Sequence, residues 1–410
     1  MFLTSQPQLT LFRQVFRRYS PFALQAIPQA WSNDAGWGKQ SVSIIGRQGD
    51  ILLDCFLEID LPSLATYSKD GFGLMWANNV GYKIFEYMDV LIGGTRVERV
   101  YGDFMEMWDQ LSMAEEKRPG LNSMLGRFDS WNKTPDPLKI NNLGSASAKI
   151  YVPLQFFFSR GKSQLGVNLL GLQFHDLRIV VQWRGLADVT KRCSVPILTA
   201  GVTATTTVPD FTSTLVSTFG YLDTPERKRF SSQPIEMLLT LTQMLSFPVD
   251  NAGTKKLDIT AFAHPVRELI FAYQTYSATN GGQDQFSDRL NFAYADPAAG
   301  EFLPPVGDFY TSARLLCNGH QRDLEAPPMY WHTLVPYRTH TRTPIKPISV
   351  MCFSLDPEND LSPNGSLNFS RYAAFRSSLF LSRYSGLDLT RPPLFLPTFA
   401  GWTRAPFTSP

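Results

Sequence analysis

The sequence predicts an all-β protein of two modules, each the size of a β-sandwich or jelly roll. Three observations carry this. Rings are plentiful, with 30 Phe, 15 Tyr and 8 Trp, and aromatic side chains fit a pleated, half-buried surface. Twenty-nine Pro and 28 Gly are spread along the chain, as a fold with many turns requires. Short runs that alternate apolar and polar residues recur from end to end. At 410 residues the chain is long enough for two or three domains with real cores.

Strand-like runs occupy 21–31, 50–62, 82–94, 149–159 and 172–183, then 257–263, 268–276, 348–355 and 377–384. One segment reads differently. In YGDFMEMWDQLSMAEEKRPG, Tyr101, Phe104, Met105, Trp108 and Leu111 recur at three- and four-residue spacing. That spacing predicts a helix over about 101–118, stopped by Pro119-Gly120. TPERKRF predicts a shorter helix over 224–230, with Thr224 as N-cap and Pro225 in the first turn. The Thr-rich stretch 201–218 reads as surface, the polar part of a long loop near 186–218. The strand pattern then restarts, so the modules are expected at 1–225 and 226–410. An echo joins them. LIGGTRVERVYGDFMEMW (91–108) and LLCNGHQRDLEAPPMYW (315–331) share an apolar pair, a two-residue turn ending in Gly, an Arg and a final Trp. Two copies of one β-module would produce it.

Composition excludes several classes. Thirty-eight basic and 36 acidic residues leave a net charge of +2, too little excess cation for a bulk nucleic-acid binder. Direct genome binding is therefore not expected. Both ends are mildly basic: Arg13, Arg17 and Arg18 precede the first acid, Asp34, and beyond residue 360 five Arg face one acid, Asp388. Charged residues are only 18% of the chain, below the usual quarter. Interface cores share that depletion, so partners are expected to cover much of the surface. Cys55, Cys193, Cys317 and Cys352 form no CxxC pair and read as free thiols of a reducing compartment. The first residues hold no continuous apolar h-region and are not read as a secretory signal. No run of 18 apolar residues occurs.

A search for chemistry yields no catalytic, metal or cofactor constellation. The five His form no HxH or HExxH. His175-Asp176 sits in a strand-like run, where neighbours point to opposite faces and do not converge on a metal. His264-Pro265 reads as a strand irregularity. Gly93-Gly94 reads as a hairpin turn, lacking the Lys and Ser/Thr of a phosphate loop. SPNGSLNFSR (362–371) holds two glycosylation triplets, at Asn364 and Asn368. It reads instead as a structural corner: Asn364-Gly365 supplies a tight turn, and Phe369 anchors a strand with Ser370 and Arg371 on opposite faces. Asn132-Lys-Thr134 is the better glycan candidate.

LTSQPQLTLFRQVFRRYSPFAL (3–24), GRQGDILLDCFLEIDLP (46–62), YVPLQFFFSR (151–160), FGYLDTPERKRF (219–230), AHPVRELIF (263–271) and SPNGSLNFSR (362–371) occur in that order, and together they resemble the major capsid protein family of nucleocytoplasmic large DNA viruses, of the iridovirus and algal-virus type. LTSQPQLTLFRQVFRRYSPFAL, with Pro7, Thr10 and Phe12, resembles its opening block. GRQGDILLDCFLEIDLP, with Arg47, Gly49 and Asp50, is similar to its first strand phrase. Gly93, Gly94 and Trp108 fall on its glycine hairpin and aromatic helix. YVPLQFFFSR, with Pro153, Phe156 and Phe158, and the later His175-Asp176 fall on its paired strands. Asp223, Arg227 and Phe230 fall on the inter-domain phrase, and His264, Pro265 and Glu268 on a second-domain phrase. Pro363, Gly365, Asn368, Phe369, Ser370 and Arg371 fall on its Pro-x-Gly-x-x-Asn-Phe-Ser-Arg motif.

The resemblance implies a double jelly roll: two tandem eight-stranded barrels with short helices in loops. It implies a non-enzymatic shell protein without cofactors, a homotrimer forming a pseudohexagonal capsomer of an icosahedral virion. Expected partners are sister copies, neighbouring capsomers, minor capsid proteins and, through the basic termini, an inner membrane. Assembly is expected in the host cytoplasm. The alternatives are a minor or scaffolding double jelly-roll component, or a β-sandwich glycan- or receptor-binding protein.

Overall fold

The computed structural model describes residues 21–64, 67–69, 72–127, 148–160, 166–172, 174–196, 208–232, 235–248, 255–274, 290, 292, 310–360, 362–371, 378–382 and 394–407. Pro7, Thr10, Phe12, Asn132 and the basic residues before Phe22 lie outside them. All strand pairings are antiparallel.

The first half holds eight principal strands in two sheets. They are β1 (Phe22–Gln29), β2 (Gln40–Ile45), β3 (Ile51–Leu61), β6 (Phe85–Ile92), β7 (Thr95–Tyr101), β8 (Ala148–Pro153), β10 (Leu177–Trp183) and β12 (Thr212–Leu222). One sheet runs β1-β12-β3-β8 and the other β2-β10-β6-β7. β9 (Val167–Asn168) pairs with β3, and β4 (Ser68–Lys69), β5 (Phe72–Trp76) and β11 (Thr190–Pro196) form a separate small sheet in the order β11-β5-β4. The second half repeats the plan with β13 (Ile235–Met244), β15 (Lys255–Asp258), β16 (Pro265–Gln274), β17 (Ser312–Cys317), β18 (His320–Gln321), β19 (Ile348–Cys352), β21 (Ser378–Ser382) and β22 (Leu394–Phe407). Its sheets run β13-β22-β16-β19 and β15-β21-β17-β18, with β14 (Phe247–Pro248) and β20 (Leu367–Asn368) appended. Counting the eight in chain order, both halves read 1-8-3-6 over 2-7-4-5. That is the jelly-roll order, twice.

The echo between the halves is the hairpin joining the fourth and fifth strands. In the first barrel Gly93 and Gly94 have φ of 58° and 83°; in the second Asn318 and Gly319 have 55° and 80°. Two consecutive positive φ angles make the turn whose twist matches the strands. Each hairpin leads to a helical segment carrying a buried Trp. In the first barrel these are α2 (Gly102–Ser112) and α3 (Arg118–Leu125). In the second, a π turn (Tyr330–Leu334) runs into α6 (Val335–Thr339). The remaining helices are α1 (Val80–Lys83), α4 (Leu186–Val189) and α5 (Thr224–Ser232).

Several expectations are corrected. The Thr-rich stretch is not loop throughout: 201–207 lie outside the described residues, but 212–218 belongs to β12, paired to both β1 and β3 at the centre of its sheet. Thr is β-branched and suits a strand, and Leu215, Val216, Ser217 and Phe219 are buried. The expected loop near 186–218 also contains α4 and β11. Helix α2 ends at Ser112, and Pro119 sits in the first turn of α3, where its missing N–H costs nothing. Tyr82 and Lys83 belong to α1, so β6 starts only at Phe85. The run 149–159 leaves the sheet after Pro153, and His175-Asp176 precede β10 rather than lying in it. Residues beyond Asp258 in 257–263 are outside β15. The carbonyl of Asp223, not Thr224, accepts the first bond of α5, from the Arg227 N–H at 2.9 Å. Phe369 and Arg371 bound a 3-10 turn rather than entering a strand. Asn368 Oδ1 accepts from the Ser370 N–H at 3.0 Å, a local bond that competes with extended pairing.

Cys55 and Cys317 are buried and free, Cys352 is partly buried, and burial pushes the Cys55 thiol up to about 12. Gly102 opens α2 against the chain beneath it: a Cβ there would stand 2.3 Å from the Tyr82 carbonyl oxygen and 2.9 Å from that of Phe85. Both are backbone atoms and cannot rotate away. Gly102→Ala should therefore lower unfolding free energy by about 1–3 kcal/mol in urea titration; an unchanged midpoint would show that α2 can lift off its bed.

Candidate functional site

The motif residues gather into three corners rather than one cleft. In the first, Gly49 touches Phe219 so closely that a Cβ would stand 2.5 Å from the Phe219 Cβ. Asp50 beside it accepts from the Leu222 N–H at 2.8 Å and pairs with Arg227 Nε at 3.2 Å. The Phe230 carbonyl accepts from Asn168 Nδ2 at 3.2 Å. These bonds tie the start of β3 and the end of β12 to α5. In the second corner, a Cβ on Gly93 would stand 2.6 Å from His175 Nδ1, and the Gly93 N–H donates to the Asp176 carbonyl at 3.1 Å. Arg47 Nη2 donates to the Leu172 carbonyl at 2.5 Å. A cavity of about 140 Å³ lies between Arg47, Leu172, His175 and Asp176, smaller than cofactor pockets generally are.

The third corner answers for the glycosylation triplets. His264 has φ of 72°. Its N–H donates to Ser370 Oγ at 2.6 Å, and its carbonyl accepts from the Phe369 N–H at 3.1 Å. Pro265 pairs with Asn368. Phe369 is buried, 6.2 Å from the Phe353 ring. Gly365 has φ of 135°, and a Cβ there would stand 2.9 Å from the Phe353 carbonyl oxygen. Asn364 Oδ1 accepts from the Asp356 N–H at 3.0 Å. Both Asn side chains thus have backbone partners. Pro363 is exposed beside them.

Trp108 and Glu268 lead to a different place, the junction of the barrels, which sequence reasoning missed. Residues 102–111 of α2 are all buried, the acidic ones included. Glu106, fully buried, accepts from Arg127 and Lys346, from Asn79 Nδ2 at 2.5 Å and from Gln110 Nε2 at 3.0 Å. Lys346 belongs to the second barrel and also donates to the Leu290 carbonyl at 2.8 Å. Arg342, also from that barrel, donates through its N–H to the Leu111 carbonyl at 3.0 Å and through Nη2 to Gln110 Oε1 at 2.6 Å. Arg160 Nη2 bridges Glu98 Oε1 at 3.0 Å and the Thr240 carbonyl at 2.7 Å, again crossing the junction. Asp109 pairs with Arg127 at 2.8 Å and Asp103 with Arg184 at 3.3 Å.

Burial alone would raise every carboxyl here. For Glu106 burial is outweighed by Arg127 and Lys346, and its pKa falls. Asp109 shares Arg127 with the Glu106 charge, and burial prevails, raising it to about 6. On the second barrel His340 stands between Glu268 at 2.9 Å and Glu358 at 3.2 Å, with the Trp108 ring edge-on at 6.3 Å. The contact to Glu268 is an ion pair whose atoms are not aligned as a hydrogen bond. Burial pushes His340 down, but the two carboxylates win and raise it to about 9. Apolar packing completes the junction: Ile270, Ala272, Ile348 and Val350 of the second barrel share one buried cluster with Trp108, Phe104 and the first barrel's core.

The buried ions of the junction are paired with one another, and among the described residues no group of three or more His, Cys, Asp or Glu could hold a metal. No described helix is long and apolar enough to cross a membrane. The sequence matches the family description "Major capsid protein N-terminus" over residues 10–218 and "Large eukaryotic DNA virus major capsid protein" over 226–386. The chain belongs to the major capsid protein family of large eukaryotic DNA viruses. It is 27% identical to the major capsid protein of Pyramimonas orientalis virus, over 90% of this chain and 86% of that one. It is 27% identical to that of Paramecium bursaria Chlorella virus 1, over 97% and 87%. Among solved structures, VP54 of PBCV-1 superposes with a TM-score of 0.73 at 22% identity, covering 96% of each chain. The Faustovirus major capsid protein gives 0.75 at 10% identity, covering 98% and 93%. These are structural capsid proteins, not enzymes, with the double jelly-roll fold.

Two outcomes test the junction. Lys346→Met leaves the buried Glu106 short of a cation, and losing one partner of a buried pair costs on the order of 3–5 kcal/mol, readable as a lower denaturation midpoint. His340 is raised when folded, so its contribution is complete below about pH 6.5 and disappears as pH rises through about 9. The stability gap between wild type and His340→Gln should therefore shrink across that window; a gap constant from pH 6 to 10 contradicts a protonated His340.

Proposed function

We propose that the chain is a major capsid protein acting as a homotrimeric tile, three copies presenting six barrels as a pseudohexagonal capsomer of an icosahedral shell. The observation that carries this reading is the repeated strand order in two barrels joined by a continuous buried core. A junction so fixed makes the pair one rigid third of a six-cornered ring, and cyclic symmetry closes such a ring at three copies. The boundary between barrels is assigned to 225/226, within α5. Neighbouring capsomers and minor capsid proteins are the further partners, and the site of action is the virion, assembled in the host cytoplasm.

Orientation follows from register. Phe22 pairs with Leu222, which leads into α5, and α5 leads to Ile235, which pairs with Phe407. Residues 22 and 407 therefore sit at the same end as α5, where Arg227, Lys228 and Arg229 cluster. We assign this end to the inner face, toward an anionic membrane, where each near-surface cation contributes about 1 kcal/mol.

Native mass spectrometry of the recombinant chain should show trimers at micromolar concentration; monomers alone would refute the tile. Copy number in purified particles separates a major from a minor shell component. A particle reconstruction with residues 22 and 407 on the outside would refute the orientation.

A further inference from the structure

The two barrels are built alike but their helical insertions are covered differently. Both insertions follow the hairpin between the fourth and fifth strands, and both are pinned by a tryptophan. Trp108 packs in the junction. Trp331 is fully buried, its Nε1 donating to the Ala326 carbonyl at 3.1 Å. The first insertion, α2, is buried along 102–111 because the second barrel covers it. Among the described residues no equivalent segment lies over the second. Met329 is 69% exposed, Leu334 44% and Tyr337 76%. Met329, Thr333 and Tyr337 recur at four-residue spacing, and all three are exposed.

What covers the first insertion indicates what covers the second. Within the chain, α2 lies against 340–346, the stretch that follows the second barrel's own insertion. In a ring of alternating barrels the next contact joins a second barrel to the first barrel of another copy. The matching stretch there is the one after α2, which includes α3. On that stretch Met124 is 37% exposed, and Glu115 and Glu116 are exposed beside Lys117, while Arg338 is exposed on the second insertion. An apolar side chain and a net negative pair on one side suit the apolar side chains and the Arg on the other.

We propose that Met329, Leu334 and Tyr337 form the knob of a heterologous contact, received by the α3 side of the first barrel of a second copy of this chain. The contact repeats the intrachain junction between chains. Because knob and socket differ, the contact is head-to-tail and closes only as a ring. This inference rests on the trimer reading above.

The test uses the full chain with two changes. Met329→Glu combined with Tyr337→Asp alters only exposed side chains, so the separated monomer should keep the wild-type far-UV circular dichroism and one cooperative unfolding transition, its midpoint lowered by no more than the lost association accounts for. Native mass spectrometry should show the trimer replaced by monomer at micromolar concentration. Trimers persisting at the wild-type level would overturn the proposal while leaving the trimer reading intact; a wild type that never trimerises would sink both. Separately, a photoreactive benzophenone amino acid at position 337 should cross-link between chains to residues of the first barrel, in or near α3. Cross-links to the second barrel of the other copy would mean a two-fold contact and overturn the proposal, whatever the folding of the charged variant.

Discussion

Glu106 is the constraint on which the arrangement of the barrels depends. A carboxylate with no access to water must be met by cations and donors wherever they come from. Here they come from both barrels, Arg127 from one and Lys346 from the other. Sliding or tilting one barrel on the other would part Lys346 from Glu106 and leave a naked charge in a low-dielectric interior. Apolar contacts between Trp108 and the second barrel tolerate small shifts; a buried ion pair does not. Such pairs add little net stability over a well-packed apolar core. Their effect here is to select one relative placement of two barrels out of the many that apolar packing would permit.

The same logic extends outward along α2. Gly102 lets the helix start against the Tyr82 carbonyl, and Asp103 in its first turn meets both the helix dipole and Arg184. The corners at Asp50, His175 and His264 do for each barrel what α2 does for the pair. Each clamps a loop to a strand end, by a side chain accepting from a backbone N–H at Asp50 and His264 and by the Gly93 N–H donating to the Asp176 carbonyl at His175. In a capsid protein the product of such clamps is a fixed shape.

Much of the fold was legible because jelly-roll strands alternate cleanly and their hairpin turns need glycine. The echo between 91–108 and 315–331 located equivalent hairpins in both barrels before any coordinate did. Two kinds of feature were hidden. The strand β12 was misread because Thr is polar by side chain yet β-branched by shape, and shape prevailed. The acidic face of α2 drew no reading, since Asp103, Glu106 and Asp109 at three-residue spacing look like any solvated helix face. Arg184 meets Asp103 and Arg127 meets Asp109, but the second cation on Glu106 is Lys346, 240 residues away in sequence, and no local pattern reports a contact of that range. In SPNGSLNFSR Gly365 does take a positive φ, but residues 363–366 form no tight turn, and Asn368 turns the chain before Phe369 can extend it.

The low charge content takes on a different meaning once the burial of particular side chains is known. Only 18% of residues are charged, and many of those are inside: Glu98, Glu106, Asp109, Arg127, Arg160, Arg267, Glu268, Lys346 and Glu358 are all buried. The flanks are correspondingly poorer in charge than composition alone implies. Long-range repulsion between like copies is therefore weak, and desolvating a flank on contact removes few ions from water. A capsid protein, which assembles with other capsid proteins, benefits from both. The ions that fix the barrels are the same ions whose burial leaves the outer faces free to associate.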